Sequence, residues 1–174
     1  MKHILLNKQL HVDGKRRKDE HDQVGLFDVI DFPEIDVRYR VTLNSQGKVD
    51  TLTIGKEEST SKPCKIIGKT KVKGKTQLNM SDGRNIFVDK DSFKTGDTLI
   101  IEVPSQEIKK HLKLDKGMTI FLTGGKYQGH LGKVECIFGQ KLIYKTEDGQ
   151  ISETNKAYAF VVGETKPVLS VAKK

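Results

Sequence analysis

Apolar and polar residues alternate along several short segments of the chain, and this period of two is typical of half-buried β-strands. The clearest segment is 35–43, in which every second residue is apolar. A polar Asn-Ser-Gln-Gly sequence follows at 44–47, and apolar residues return at 48–54. Two such segments separated by a short turn predict a β-hairpin.

Further strands are predicted along the rest of the chain, between turns rich in glycine. They lie around Gly68 and Gly74, at 85–88, at 98–103 and in four segments between 116 and 163. Two stretches are less regular, since 56–62 predicts one helical turn and 104–114 predicts a short helix or an extended linker. Many short, closely spaced strands favour small β-barrels over a helical or α/β fold.

Composition supports two small β modules rather than one large core. Hydrophobic residues make up 35% of the 174 residues, and Trp is absent. Lys and Arg number 31 against 23 Asp and Glu, which gives a net charge of +8 and a pI near 9.4. This charge favours a polyanionic partner; the alternative is a solvated basic surface without a partner.

The sequence lacks the motifs and segments that are typical of several classes of protein. The two cysteines, Cys64 and Cys136, do not form a Cys-x-x-Cys pair, which excludes a zinc site built from cysteines. Neither a signal peptide nor an apolar run of roughly 20 residues is found. We therefore expect a cytosolic chain with reduced thiols.

Catalytic motifs are missing as well. Gly-Lys-Thr occurs at 68–70 and 74–76, but Lys69 stands where the first glycine of a P-loop is required. No amphipathic helix follows to receive a phosphate. The five histidines show no His-Glu-x-x-His spacing, and Gly-x-Ser-x-Gly does not occur. We expect no enzymatic activity, no metal and no cofactor.

The charge pattern is more informative, and its first basic cluster follows a tight turn. Leu10 and Val12 alternate with polar residues as in a strand, and Asp13-Gly14 is a strong turn dipeptide. Four consecutive cations follow, namely Lys15, Arg16, Arg17 and Lys18. They predict either a solvated hairpin end or a tip that faces phosphate.

A second basic cluster lies between Ser59 and Ser81, where six lysines occur without an acidic residue. Lys69, Lys71, Lys73 and Lys75 have a spacing of two, which predicts that they share one face of a hairpin. The lysines on such a face repel one another, and a polyanion that covers the face makes the repulsion easier to tolerate. The affinity for that polyanion depends on salt. The alternative is an edge strand charged against aggregation.

A third basic segment spans 116–145, where five lysines occur with one acidic residue. The pair Gly124-Gly125 follows a predicted strand and lets the backbone approach a partner closely. The loop then carries Lys126, Tyr127, Gln128 and His130, and Lys133 leads into the next strand. Tyr127 is predicted either to stack on a base or ribose or to pack over its own barrel.

This third segment resembles a KOW motif, in which an apolar strand, a glycine-rich basic loop, a key glycine and a second apolar strand follow one another. Gly132 is the key glycine, and Val134 and Ile137 supply apolar positions of the second strand. KOW motifs occur in SH3-like barrels of ribosomal proteins and transcription elongation factors. The resemblance implies such a barrel, with loop glycines at Gly124, Gly125, Gly129 and Gly132.

Segments 12–30 and 64–86, followed by the KOW segment, resemble in sequence and order the archaeal form of the S4e family of small-subunit ribosomal proteins. The resemblance implies a mainly β chain in four parts. These are an incomplete alpha-L RNA-binding arm at 1–30, a central β-barrel-like domain at 31–112, an SH3-like KOW barrel at 113–165 and a C-terminal tail at 166–174. The arm is expected to be incomplete because the chain starts inside the alpha-L motif.

By the same resemblance, the chain is expected to be a structural constituent of the small ribosomal subunit in the cytoplasm. Its implied partners are small-subunit ribosomal RNA and neighbouring ribosomal proteins, with no membrane and no small-molecule substrate, and the isolated chain is expected to be a monomer. The residues implied to face RNA are Lys15, Arg16, Arg17, Lys18, Lys69, Lys71, Lys73, Lys75, Arg84, Lys126, Tyr127, His130 and Lys133.

Two alternatives remain open from the sequence. One is a transcription elongation factor whose KOW module binds polymerase or nascent RNA, although the α/β companion module of such factors is not visible. The other is an SH3-like protein-interaction module that binds no nucleic acid. Retention on polymerase rather than on small subunits would favour the first, and tight RNA-independent binding to a protein would favour the second.

Overall fold

The computed structural model describes residues 9–89 and 91–172, and these residues form three antiparallel sheets of five strands each. The predicted mainly β fold is confirmed. The part of the predicted arm before residue 9 lies outside the described residues.

The first sheet has the strand order β2-β1-β3-β4-β5. Its strands are Leu10–Val12 (β1), Lys15–Arg17 (β2), Val29–Phe32 (β3), Val37–Leu43 (β4) and Val49–Thr53 (β5). The predicted hairpin at 35–54 is confirmed by the pairing of β4 with β5. Residue 30, the predicted end of the arm, lies within β3, and the division of the chain into domains stays a prediction.

The second sheet has the order β10-β9-β6-β7-β8, and the single helical turn Lys56–Ser59 (α1) precedes it as predicted. Its strands are Ser61–Val72 (β6), Lys75–Met80 (β7), Asn85–Val88 (β8), Thr98–Glu102 (β9) and Ile108–Leu112 (β10). The prediction of a helix or linker at 104–114 was wrong, because β10 pairs with β9 there. Ile108 and Leu112 have helical spacing, but pairing with a buried neighbouring strand overrides that local pattern.

The third sheet has the order β14-β13-β12-β11-β15 and curls into the predicted SH3-like barrel. Its strands are Thr119–Leu122 (β11), Leu131–Phe138 (β12), Lys141–Thr146 (β13), Ile151–Asn155 (β14) and Ala159–Gly163 (β15), with a 3-10 turn at Lys156–Tyr158 before β15. Sequence analysis predicted four of these five strands. It missed β14, an edge strand whose residues are mostly polar and which therefore lacks an apolar face.

Phe27 joins the first sheet to the barrel. Its side chain is fully buried and makes edge-to-face contacts with Phe121 and Phe160, at centroid distances of 5.4 and 4.9 Å. Because Phe121 and Phe160 are paired on neighbouring strands, one side chain from the turn before β3 packs against two strands of the barrel. A wedge of this kind fixes how the first sheet lies against the KOW barrel.

The C-terminal segment packs along β4 as far as it is described. Arg40 is fully buried, and its guanidinium donates to the carbonyl oxygens of Ser170, Glu58 and Ser61 at 2.9, 2.9 and 2.7 Å. Leu169 and Val171 are buried in the same core as the barrel. A fully buried guanidinium needs such acceptors, so the first part of the predicted tail belongs to the folded body.

Candidate nucleic-acid interface

The cations of the predicted arm lie on β2, at the open edge of the first sheet, except for Lys18, which directly follows β2. Asp13 and Gly14 have φ values of 50° and 73°, and positive φ at both positions is what a two-residue type I′ hairpin turn requires. Arg17 contacts Asp22 at 3.6 Å. Three cations are exposed and have no ion-pair partner among the residues described, and they are Lys15, Arg16 and Lys18.

A buried ionic cluster holds this hairpin against the second sheet. The Lys62 ammonium contacts Asp13 and Asp82 at 2.9 Å each and also contacts Asp28. Burial alone would lower the pKa of Lys62, but the three carboxylates outweigh burial and raise it. Burial likewise acts to raise the pKa of Asp82, and the charge and hydrogen bond of Lys62 bring it below its ordinary value. Lys62 and Asp82 therefore favour their charged forms, and the cluster links the arm to the second sheet.

Arg84, implied by the resemblance to face RNA, is part of this cluster. Its guanidinium contacts Asp13 and also contacts Asp82 at 3.2 Å, and its side chain is only 23% exposed. Two carboxylates therefore already pair with the guanidinium, and an RNA phosphate would have to compete with them for it. The structure places Arg84 at the joint between the arm and the second sheet.

The lysines at 69–75 do not share one face, so that part of the prediction was wrong. Lys73 and Gly74 form a two-residue turn with φ values of 48° and 82°. Lys71 is opposite Thr76, whereas Lys75 is opposite Val72. Because opposite residues in an antiparallel pair share a face, Lys75 lies on the other face from Lys71, and Lys73 lies at the tip.

The same four lysines also differ in whether they form ion pairs. Lys69 contacts Asp91 at 2.6 Å, and Lys75 contacts Asp89 at 3.2 Å. These carboxylates follow β8 in sequence and lie outside the acid-free stretch between Ser59 and Ser81. That stretch alone therefore suggested lysines without any counter-charge. Lys71 and Lys73 are exposed and have no ion-pair partner in the described ranges, so they are the cations of this hairpin that are free to meet a phosphate.

The KOW loop is shaped by glycines that have no room for a side chain. A Cβ on Gly124 would lie 2.7 Å from the ring of Tyr158, and one on Gly132 would lie 2.6 Å from the ring of Tyr144. A Cβ on Gly129 would lie well inside 3.0 Å of the Asn44 carbonyl oxygen. Gly125 has a φ of 85°. The predicted loop glycines are therefore required by close packing and by backbone conformation.

Part of this loop is occupied with contacts inside the protein. The ring nitrogen Nε2 of His130 lies 3.3 Å from the Ser45 carbonyl oxygen, and the Gln128 side chain donates to the Gly47 carbonyl oxygen at 3.4 Å. Both contacts reach the turn between β4 and β5. His130, implied to face RNA, instead helps to fasten the loop to the first sheet.

Lys126 and Tyr127 remain on the open side of the loop. The ammonium of Lys126 lies 5.3 Å from the centroid of the Tyr127 ring, within cation–π range. Tyr127 also contacts Tyr144 edge-to-face at 6.5 Å. The ring is half-buried, so it packs on its own barrel and still presents an edge to solvent.

Lys133 is opposite Lys145 on neighbouring strands of the barrel. Both side chains are exposed, and neither has an ion-pair partner within the described chain. Like charges directly opposite one another destabilise a sheet, and a polyanion on that face would remove the repulsion. Lys145 was not among the predicted site residues, because its cross-strand position follows from the register and a bulge rather than from spacing in sequence.

Two further residues, Lys65 and Cys64, are buried and have structural roles. Lys65 is buried, and its ammonium donates to the carbonyl oxygens of Ala157 and Ala159 at 2.8 and 2.7 Å. Burial, with a smaller contribution from Lys156, lowers its pKa to about 8. Burial also raises the pKa of the Cys64 thiol. Lys65 therefore ties the second sheet to the barrel, and its charge in the sequence does not indicate a partner.

Among the described residues, no group of three His, Cys, Asp or Glu side chains is arranged so that it could hold a metal ion. In the same residues no helix is long and apolar enough to cross a membrane.

Comparison with known proteins finds relatives that match nearly the whole of this chain. The family model described as Ribosomal family S4e matches residues 35–108. Small ribosomal subunit protein eS4 of Methanosphaera stadtmanae is 40% identical, over 97% of this chain and 72% of its own length. The eS4 protein of Methanocaldococcus jannaschii is 36% identical, over 98% of this chain and 75% of its own length.

A solved structure shows the same architecture. The crystal structure of the 30S ribosomal protein S4e from Thermoplasma acidophilum matches with a TM-score of 0.81 and 30% identity, over 93% of this chain and 84% of that one. These matches do not support the elongation-factor alternative. Sequence identity over most of both chains, together with the shared fold, shows that this chain belongs to ribosomal family S4e, the eS4 proteins of the small ribosomal subunit.

Proposed function

We propose that this chain binds small-subunit ribosomal RNA as a structural constituent of the small ribosomal subunit and supports translation in that place. Its partners are then ribosomal RNA and neighbouring ribosomal proteins in the cytoplasm, and its role involves no chemical step. The observation that carries the proposal is the exposed pair of Lys133 and Lys145, opposite each other without a carboxylate. Such a pair is stabilised when phosphate lies across it.

The free cations lie on separate elements, which favours recognition of RNA shape. Lys15 and Arg16 lie on the edge of the first sheet, and Lys73 lies at a hairpin tip. Lys126 lies in the KOW loop, and Lys133 lies on the strand that follows it. A-form RNA hides the base edges of its major groove from side chains. Contacts to phosphate from several separated points therefore fix orientation on a folded RNA without reading its sequence.

Filter binding to small-subunit ribosomal RNA at increasing salt tests this proposal. The double variant Lys126→Ala/Lys133→Ala should lower the slope of log affinity against log salt by about 1 to 2, because each phosphate contact contributes roughly 0.7 to 0.9. A matched control is Lys69→Ala/Lys75→Ala, which removes the same charge from lysines already paired with carboxylates. An unchanged slope in the first variant would remove the KOW loop from the interface.

A further inference from the structure

Three of the four tyrosines of the chain line one groove of the barrel. Tyr127 comes from the KOW loop, Tyr144 from β13 and Tyr158 from the 3-10 turn before β15. The groove has a volume of about 400 Å³, which is within the range of roughly 300–1,000 Å³ typical of small-ligand sites. Tyr144 is buried at the base of the groove, so Tyr127 and Tyr158 are the rings that offer surface to a flat ligand.

Tyr158 is the most accessible of the three rings. It is 45% exposed although it lies directly against Gly124. Contact with a glycine that has no space for a Cβ holds the ring in place without covering all of it. A ring that is fixed and still exposed loses little conformational entropy when a ligand packs on it.

Residues that line the same groove carry hydrogen-bond donors without an acceptor. The backbone amides of the four successive residues 124–127 have no hydrogen-bond acceptor among the described residues. The Lys126 ammonium likewise has no carboxylate partner there. Glu153 also lines the groove, but its charge is paired with Lys141 at 2.8 Å. The groove therefore offers donors and positive charge to an anionic ligand.

We infer that this groove binds one unpaired nucleotide of an RNA, with its base against Tyr158 and Tyr127 and its phosphate at Lys126 and the amides of the glycine pair. The inference rests on the proposed function and adds a site for a single-stranded nucleotide to it. Aromatic rings next to cationic donors are the usual means of holding unstacked bases. The hydroxyl of Thr154 and the amide of Asn155 line the groove and can meet a base edge.

A proline-rich peptide is the competing occupant, because aromatic grooves of SH3-like barrels also take polyproline segments. Charge separates the two ligands. A polyproline segment brings neutral carbonyl groups, whereas the Lys126 ammonium and four free amides match the phosphate of a nucleotide. The structure therefore favours RNA, and the peptide becomes one outcome of the test.

The test measures the quenching of tyrosine fluorescence by a single-stranded hexauridylate and, separately, the binding of a blunt RNA duplex. Tyr158→Leu should weaken hexauridylate binding at least fivefold, because stacking on one base contributes on the order of 1–3 kcal/mol. Its binding to the duplex should change less than twofold. Tyr158→Phe should keep the hexauridylate affinity, and Tyr39→Leu in the first sheet serves as the control outside the groove.

The outcomes separate this inference from the proposed function. If the wild-type chain binds neither RNA, the proposed function fails together with the inference. If it binds both and Tyr158→Leu changes neither, the inference is overturned and the proposed function stands. Displacement of hexauridylate by a proline-rich peptide, with tighter binding of the peptide, would also overturn it. Photocrosslinking of 4-thiouridine to the wild-type chain needs no variant, and the absence of any crosslink to the loop and groove, while the RNA is bound, contradicts the assignment.

Discussion

Gly129 of the KOW loop lies against the backbone of Asn44, so close that a Cβ on Gly129 would be well inside 3.0 Å of the Asn44 carbonyl oxygen. Asn44 begins the turn between β4 and β5 of the first sheet. This contact, together with the bond from Gln128 to Gly47, fastens the loop of the barrel to another sheet. The basic loop is therefore held at a fixed place relative to the arm.

Gly129→Ala should destabilise the protein more than Gly125→Ala does. Both glycines have nearly the same φ, 84° and 85°, so the conformational cost is matched. Only Gly129 meets backbone atoms, whereas the nearest atom to a Cβ on Gly125 is 3.6 Å away. We expect Gly125→Ala to cost about 1–2 kcal/mol and Gly129→Ala clearly more in urea unfolding. Equal losses in the two variants would show that the contact with Asn44 does not hold the loop.

Lys62→Met should be among the most destabilising single changes in the chain. It removes the ammonium from three buried carboxylates, and Asp28, unlike Asp13 and Asp82, does not have Arg84 as a second partner. Removing one partner of a buried ion pair costs about 3–5 kcal/mol. The free energy of unfolding measures this loss, with Lys71→Met as the exposed control, for which a change within about 0.5 kcal/mol is expected. A loss for Lys62→Met as small as that of the control would contradict the joint between the arm and the second sheet.

The pKa of Lys65 predicts a rise in stability at alkaline pH. Its pKa is about 8 in the folded state and 10.5 as the ordinary value. Between these values the unfolded chain binds more protons than the folded chain, so the free energy of unfolding increases with pH. The slope is at most about 1.4 kcal/mol per pH unit. Lys65→Met should flatten the slope of the free energy of unfolding against pH, whereas the exposed control Lys116→Met should leave this slope unchanged. The same slope in both variants would contradict the lowered pKa of Lys65.

The hairpin of β6 and β7 allows a comparison between free and paired lysines. Lys71→Ala/Lys73→Ala removes two cations without a partner, and Lys69→Ala/Lys75→Ala removes two that contact Asp91 and Asp89. The net charge of the protein changes equally. We expect the first pair to lower the salt slope of RNA binding by about 1 to 2 and the second pair to lower it less. Equal effects would show that RNA meets this hairpin through overall charge alone.

Local turn chemistry allowed much of the fold to be predicted from the sequence. Asp13-Gly14 marks a hairpin because few dipeptides tolerate two positive φ values, and Gly132 marks the KOW strand. The same local rules missed β14, which is polar, and mistook β10 for a helix or linker. Both are edge strands that depend on a neighbouring strand rather than on their own pattern.

The candidate interface was less predictable because it depends on which charges meet in three dimensions. The two-residue turn at Lys73 moves Lys75 to the other face of its hairpin. Lys62 and Lys65 belong to the acid-free stretch of the sequence, yet both are buried. Lys62 contacts aspartates that are distant in sequence, and Lys65 donates to carbonyl oxygens of the barrel. The groove of three tyrosines brings together residues from three elements, and their spacing in sequence gives no sign of it.

The central claim is that this chain acts in the small ribosomal subunit by binding its RNA, and sedimentation tests it most directly. The chain is centrifuged through a sucrose gradient with small ribosomal subunits and, separately, with RNA polymerase. We predict that it moves with the small subunits at low salt and is released as the salt concentration rises, because phosphate contacts dominate the affinity. A chain that stays at the top of the gradient with small subunits, or is retained by polymerase instead, would contradict the claim.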